Sequence, residues 1–306
     1  MLNYGPIGNV IVPTFTPAAF DYYPVESLDE AIRLVQNHED AKVLAGGQSL
    51  LAMMKLRLIA PKVLVDISKV PGLNYMTEKD GEISVGALTT HQAIHESALL
   101  KLKCPLLSEA AARIGDVQIR NRGTIGGSIS HADPSADYPP ALLALDCKVV
   151  AKGPSGERAI DANRFFLGPF ETALEPAELV TEVRMPAIRP NEGHGYVKFI
   201  RRESEFAIVN VAVRLALGKK GRVELARIAL GAVADHAVRA ESAEKIMEGK
   251  VMSEELIEDA SNAVVEGMNP PADTHASADY RRYLAKVWTK RLLQKTLVRL
   301  EGGKAE

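Results

Sequence analysis

Two glycine pairs constrain this chain more than any other feature: Leu44-Ala45-Gly46-Gly47-Gln48-Ser49-Leu50 and Thr124-Ile125-Gly126-Gly127-Ser128. Each lies between an apolar, strand-like run and a segment able to turn, where successive backbone N–H groups can converge on an anion. A side chain at the glycines would hold a phosphate off the backbone, and glycine tolerates the positive φ that such a nest requires. Taken singly, either pair also fits an ordinary tight turn. Taken together they point to a dinucleotide held by its pyrophosphate. No G-x-G-x-x-G follows a first strand and no G-x-x-x-x-G-K-[ST] is present, so the Rossmann and P-loop modes are excluded.

The rest of the composition narrows what such a chain can do. Its 306 residues, 46% hydrophobic and 25% charged, suit a soluble globular protein with room for two or three cores. With 37 Lys+Arg against 39 Asp+Glu, the net charge of −2 gives no electrostatic case for nucleic acid or an anionic membrane. Met1 to Asn9 has no basic n-region, no apolar h-region follows, and no run approaches membrane-spanning length; a cytoplasmic chain is expected. Cys104 and Cys147 are too few for a four-thiolate cluster or a structural zinc site. If electrons cross this chain, an organic cofactor must carry them. His91 and His95 share a helical face but lack a third ligand, and read as surface histidines. No metal ligand and no catalytic acid–base pair is assigned, and Glu203 and Glu205 read as exposed strand-end residues.

Residues 1–20 read as an extended lead-in. Ser27-Leu28-Asp29-Glu30 is a capping box, opening a helix to about Asn37. Ala41 to Ala45 is a short strand, Leu50 to Leu58 a helix with Leu51, Met54 and Leu58 on one stripe before Pro61, and Val63 to Ile67 a second strand. This is β-α-β-like, with the glycine loop at a strand's carboxyl end. A strand over Glu82 to Ala87, helices from Thr89 to Ser97 and Pro105 to Ile114, and a hairpin around Gly153-Pro154-Ser155-Gly156 follow. Leu179 to Met185 is a strand ended by Pro186, and 186–195 reads as a loop at a domain boundary. Beyond it, Gly195 to Arg202, Ala207 to Leu217 and Val223 to Val233 alternate as an antiparallel sheet. Helices over Ala237 to Met247, Ser253 to Glu266 and Ala278 to Leu300 close the chain, the last with Tyr283, Val287, Leu292 and Leu293 inward.

The segment from Gln118 to Asp137 concentrates glycines, hydroxyls, arginines and carboxylates without helical or strand periodicity. Such polar density is costly to bury unless something occupies it. Thr124 and Ser128 suit phosphate oxygens, whereas Asp133 and Asp137 suit sugar or ribitol hydroxyls. Equally, Asp133-Pro134 fits a turn, and Asp137 fits the cap of a helix over Tyr138 to Leu145.

These motifs, with Met54-Lys55-Leu56-Arg57, Leu64-Val65-Asp66-Ile67, Asn121-Arg122-Gly123 and Ala278-Asp279-Tyr280-Arg281-Arg282, cover nearly the whole chain. The chain resembles the FAD-binding medium subunits of molybdenum hydroxylases, the xanthine dehydrogenase and carbon monoxide dehydrogenase family. The resemblance implies an α+β protein: a two-subdomain vanillyl-oxidase (PCMH)-type FAD-binding fold over residues 1–186 (subdomains about 1–67 and 68–186). A domain of a three-stranded antiparallel sheet and a helix bundle would follow over 190–306. It places the pyrophosphate on Ala45, Gly46, Gly47, Gln48 and Ser49 and on Thr124, Ile125, Gly126, Gly127 and Ser128. Asp137 would meet adenosine or ribityl hydroxyls. The flavin ring would lie by Leu179 and Val180 and the segment from Lys198 to Ile208.

In the resemblance, Phe206 stands where several relatives place a tyrosine beside the flavin, keeping the π-face and losing the hydroxyl. The cysteine-bearing cluster loop of the benzoyl-CoA reductase branch is missing. The implied function is an electron-transfer subunit: a large partner bears the molybdopterin cofactor, a small partner two [2Fe–2S] clusters, and FAD on this chain passes electrons to an external acceptor. A family-type assembly would be a dimer of heterotrimers. Two other readings stay open: a self-sufficient FAD oxidase or reductase of the same superfold, with His131 as a flavin-tethering candidate, and a non-catalytic nucleotide-binding assembly subunit.

Overall fold

The computed structural model describes residues 16–302; of the expected lead-in, residues 1–15 lie outside the described residues. The chain first builds β1 (Asp21–Pro24), α1 (Leu28–Asn37), β2 (Ala41–Leu44), α2 (Leu50–Lys55) and β3 (Val63–Asp66), with the strands parallel in the order β1-β3-β2. Ser27 caps α1 by accepting from the Glu30 N–H at 3.2 Å, and Ala31 and Ile32 bury against Val63 and Val65. All four residues of β1 are exposed, so the strand carries no inside–outside alternation to read. The second helix is shorter than expected and ends at Lys55, well before Pro61. Arg57 takes a left-handed φ of 59°, and the N–H groups of Arg57 and Leu58 fold back onto the Met54 and Met53 carbonyls. Leu58 is therefore 68% exposed instead of sharing a buried stripe with Met54.

The middle of the chain supplies β4 (Met76–Lys79), β5 (Glu82–Gly86), α3 (His91–Glu96), α4 (Ala98–Lys103), α5 (Pro105–Ala112), α6 (Val117–Arg120), α7 (Ile125–His131) and α8 (Tyr138–Ala144). It continues with β6 (Lys148–Gly153), β7 (Gly156–Asp161), β8 (Phe166–Gly168), β9 (Glu171–Thr172) and β10 (Leu179–Pro186). An antiparallel sheet runs β4-β5-β10-β6-β7, and Ile83, Val85, Val149 and Val183 form its core side with Tyr138, Leu142 and Phe165, all fully buried. Gln118 to Asp137, which shows no helical or strand periodicity, holds most of α6 and all of α7, the two helices opened by side-chain caps from Asp116 and Thr124. Glycines in a first helical turn hide the periodicity. In β10 the ladder shifts between Val180 and Glu182, which frees the Thr181 carbonyl to accept from the Ala87 N–H at 2.9 Å.

The last part contains β11 (Glu192–Phe199), β12 (Val209–Leu217), β13 (Val223–Gly231), β14 (Val238–Arg239), α9 (Glu241–Met247), α10 (Glu254–Ala263) and α11 (Ala278–Leu300). The sheet has four strands where three were expected, because Val238 and Arg239, assigned by periodicity to a helix, pair with Leu230 and Ala229. On α11 the buried stripe is Arg281, Leu284, Ala285, Leu292 and Leu293, and Tyr283 is 61% exposed, contrary to its expected inward placement. The reason lies in Arg281. Its guanidinium turns inward to donate to the Ile208 and Ala232 carbonyls and pairs with Asp273 at 2.7 Å, which fixes the helix rotation. Phe165→Ala would leave a void beneath the central sheet, and a loss of about 3–5 kcal/mol in urea unfolding is expected.

Candidate functional site

The carboxyl end of β2 delivers the first glycine pair, where Gly47 takes a φ of 74°. Among the described residues, the N–H groups of Gly46, Gly47, Gln48 and Ser49 find no acceptor in the chain. Four successive unpaired donors at the head of a helix form a cradle for an anion. Gly46 itself lies against the second motif: a Cβ there would sit 2.1 Å from the Arg122 carbonyl oxygen and 2.7 Å from the Gly123 Cα. Only a residue without a side chain allows the two loops to meet so closely.

The second pair works differently from a nest. Thr124 caps α7 by accepting from the Gly127 N–H at 3.2 Å, while the Ile125 and Gly126 N–H groups donate to the Thr89 and Ala87 carbonyls at 3.1 and 2.9 Å. These donors are paired within the chain, which corrects the expectation that both glycine pairs present free N–H groups. Gly126 is needed for packing, since a Cβ would lie 2.6 Å from that of Ala87. Gly127 is exposed, and a Cβ there would lie 3.0 Å from the Thr124 hydroxyl oxygen and 3.9 Å from the Ala45 Cβ.

One cavity of about 530 Å³ lies along both motifs. Its wall includes Ala45, Gly46, Gly47, Gln48 and Ser49, then Thr124, Gly126, Gly127 and Ser128, and also Asp137, Leu179, Val180, Lys198 and Phe206. Ile125 is not among the lining residues; its side chain is fully buried in the core. The volume is that of a small-molecule site.

Asp137 and Lys198 form an ion pair at 2.9 Å in the wall, their side chains 5% and 3% exposed. Lys198 also donates to the Arg113 carbonyl, and the Tyr196 hydroxyl donates to the other Asp137 oxygen at 2.6 Å. Burial pushes the Asp137 carboxyl up, against Lys198 and Tyr196, which pull it down. Both Asp137 oxygens are thus engaged by the protein, and no side-chain cap of α8 forms. Asp133 closes a turn by accepting from the Ser135 N–H at 2.8 Å and also lines the cavity. Phe206 is 59% exposed at the rim, on a loop where Ser204 has a φ of 68°.

His91 is a correction. It is not a surface residue but is 4% exposed, lines the cavity, and has Nδ1 3.0 Å from the Tyr138 hydroxyl. Its backbone N–H donates to the Gly123 carbonyl at 3.0 Å, so the residue ties the segment after β5 to the second glycine turn. A signal existed in the sequence: His91 opens a helix just after a strand's carboxyl end, the same topological place as the first glycine loop. Burial, with the Arg120 guanidinium nearby, pushes its imidazole down to about 3.

Residues 18–188 match the family described as the FAD binding domain in molybdopterin dehydrogenase, and residues 194–296 the CO dehydrogenase flavoprotein C-terminal domain. The chain is 39% identical to the glyceraldehyde dehydrogenase medium chain of Sulfolobus acidocaldarius, covering 89% of this chain and 96% of that one. It is likewise 39% identical to the carbon monoxide dehydrogenase medium chain of Hydrogenophaga pseudoflava, over 90% and 96% of the two chains. A solved structure of carbon monoxide dehydrogenase from that organism, lacking the Mo-pyranopterin moiety of its cofactor, matches with a TM-score of 0.90 at 39% identity over 92% of this chain and 99% of that one. Quinoline 2-oxidoreductase from Pseudomonas putida 86 matches with a TM-score of 0.86 at 35% identity, over 94% and 99%.

The neutral, buried His91 makes stability pH-dependent. Between its ordinary value of 6.5 and about 3 the unfolded chain takes a proton that the folded chain refuses. The cost is absent above pH 6.5 and grows as pH falls, at about 1.4 kcal/mol per pH unit. Urea unfolding at pH 7 and pH 5 should show a smaller acid loss in His91→Asn than in the wild type.

Proposed function

The chain belongs to the FAD-binding medium subunits of the xanthine dehydrogenase and carbon monoxide dehydrogenase family, and from that membership we propose how its residues hold FAD. It is the flavin subunit of a heteromeric molybdenum hydroxylase, an oxidoreductase component that passes electrons from the iron–sulfur clusters of a partner to an external acceptor. We assign the FAD-binding domain to residues 1–186 and the second domain to 190–306. FAD, when bound, supplies the redox chemistry; the protein supplies position and electrostatics.

The observation that carries the residue assignment is the cradle of unpaired N–H groups at Gly46, Gly47, Gln48 and Ser49, facing α7 across a shared cavity. Those four groups bind the diphosphate. Gly127 and Ser128 let the ligand approach α7 closely, and Thr124 fixes that helix start. Leu179 and Val180 give the wall an apolar stretch. Lys198, held by Asp137, places one positive charge beside the ring, and Phe206 covers a ring face at the rim. Ile125 serves the fold alone.

The partners are a large molybdopterin-binding subunit and a small subunit with two [2Fe–2S] clusters, in a dimer of heterotrimers. Relatives carry names such as medium chain and subunit, in keeping with such a division of labour. Among the described residues, no helix is long and apolar enough to cross a membrane.

Gly127→Val should still fold, losing about 1–2 kcal/mol of unfolding free energy because its Cβ, 3.0 Å from the Thr124 hydroxyl, crowds the α7 cap, and should lose most of the flavin absorbance of the purified protein. Gly46→Ala makes the contrast: its Cβ meets backbone, so stability falls together with flavin. Unchanged flavin content in Gly127→Val would remove the diphosphate assignment. Acid precipitation should release the FAD to the supernatant; flavin retained in the pellet would favour a tether at His131.

A further inference from the structure

The hairpin of β8 and β9 carries an aromatic residue in a conformation that fold stability does not explain. Gly168 pairs with Glu171, which leaves Pro169 and Phe170 as the two central residues of the turn. Phe170 has a φ of 58°. A turn led by proline ordinarily takes glycine or asparagine at that second position, and a bulky side chain there is a genuine outlier. Nor is the ring buried in exchange, being 57% exposed.

The tip is nevertheless firmly held. The Phe170 N–H donates to the Ala132 carbonyl at 3.1 Å, and Ala132 is the left-handed C-cap of α7, with a φ of 51°. The Phe170 ring centroid lies 5.0 Å from that of His131, tilted by 45°. Both side chains line the cavity. A strained backbone, fastened to the far end of α7, thus presents a flat apolar face to the site. Helical rise separates His131 from Gly126 by about 7.5 Å along the axis, the reach of a sugar-sized linker between a phosphate and a ring. Strain of this kind persists where surrounding structure enforces it, and it gathers at ligand sites.

We propose that Phe170, backed by His131, is a stacking platform for a planar heteroaromatic ring joined to the phosphate held at the glycine loop. The inference deepens the reading above and rests on it, since the ring is then one of the two ring systems of FAD. Aromatic faces bind such rings through offset stacking without needing hydrogen bonds.

The test uses the full chain stripped of flavin, with FAD, ADP and FMN titrated by calorimetry and thermal unfolding followed on the same samples. Phe170→Gly removes the ring and relieves the left-handed backbone, whereas Phe170→Tyr keeps the face. Phe170→Gly should unfold no earlier than the wild type yet bind FAD about tenfold more weakly, the size of one lost stacking contact. Phe170→Tyr should stay within about twofold of the wild type, because its ring stacks as well. A parallel loss for ADP assigns the adenine, and a loss for FMN the flavin ring. Unchanged FAD affinity in Phe170→Gly overturns the inference, and so does a lowered unfolding midpoint, which would show that the ring serves the fold. A wild-type chain that takes up none of the three ligands refutes the FAD assignment itself.

Discussion

The contact on which the site depends is one of backbone against backbone: Gly46 pressed onto the Arg122 carbonyl and Gly123, where a Cβ would have only 2.1 Å. It is continued by Gly126 on Ala87, by the Thr90–Thr124 bridge and by the His91 N–H on the Gly123 carbonyl. Three chain segments meet there without side chains between them, bringing the ends of β2 and β5 to the start of α7. Close packing of this kind has little room to adjust. The distance from the donor loop to the α7 turn is therefore set before any ligand arrives, which is what pre-organisation requires.

Two motifs with the same two letters do opposite work. At Gly46 and Gly47 the glycines leave donors unpaired. At Gly126 and Gly127 the donors are closed by the Ala87 carbonyl and the Thr124 hydroxyl, and the missing side chains allow approach instead. Gly-Gly in a sequence states where bulk is forbidden, and the surrounding carbonyls decide whether the amides remain open.

That distinction marks how far the sequence could be read. The capping box at Ser27, the hairpin at Gly153–Gly156 and the strand ended by Pro186 rest on local chemistry and stand as read. The β1 and β4 strands were invisible because exposed strands carry no alternation. The α11 rotation and the length of α2 were misread because Arg281 and Arg57 answer to partners or dihedrals remote from any pattern of apolar residues. Of the site residues, the glycine loop was legible from type and order. Lys198 and Phe206 came from resemblance; His91 was open to reading only from its place after a strand's end, and Phe170 not at all, since a left-handed φ at a bulky residue has no signature in letters.

The Asp137–Lys198 pair joins residues from the two stretches that match separate families, 18–188 and 194–296. A carboxylate shielded from water is tolerable only while its partner stays in place. The two modules are consequently not interchangeable parts. A chimaera that imported its second half from a relative with no cation at this place would inherit an uncompensated anion in its interior, so a single ammonium group limits how freely such subunits can be recombined.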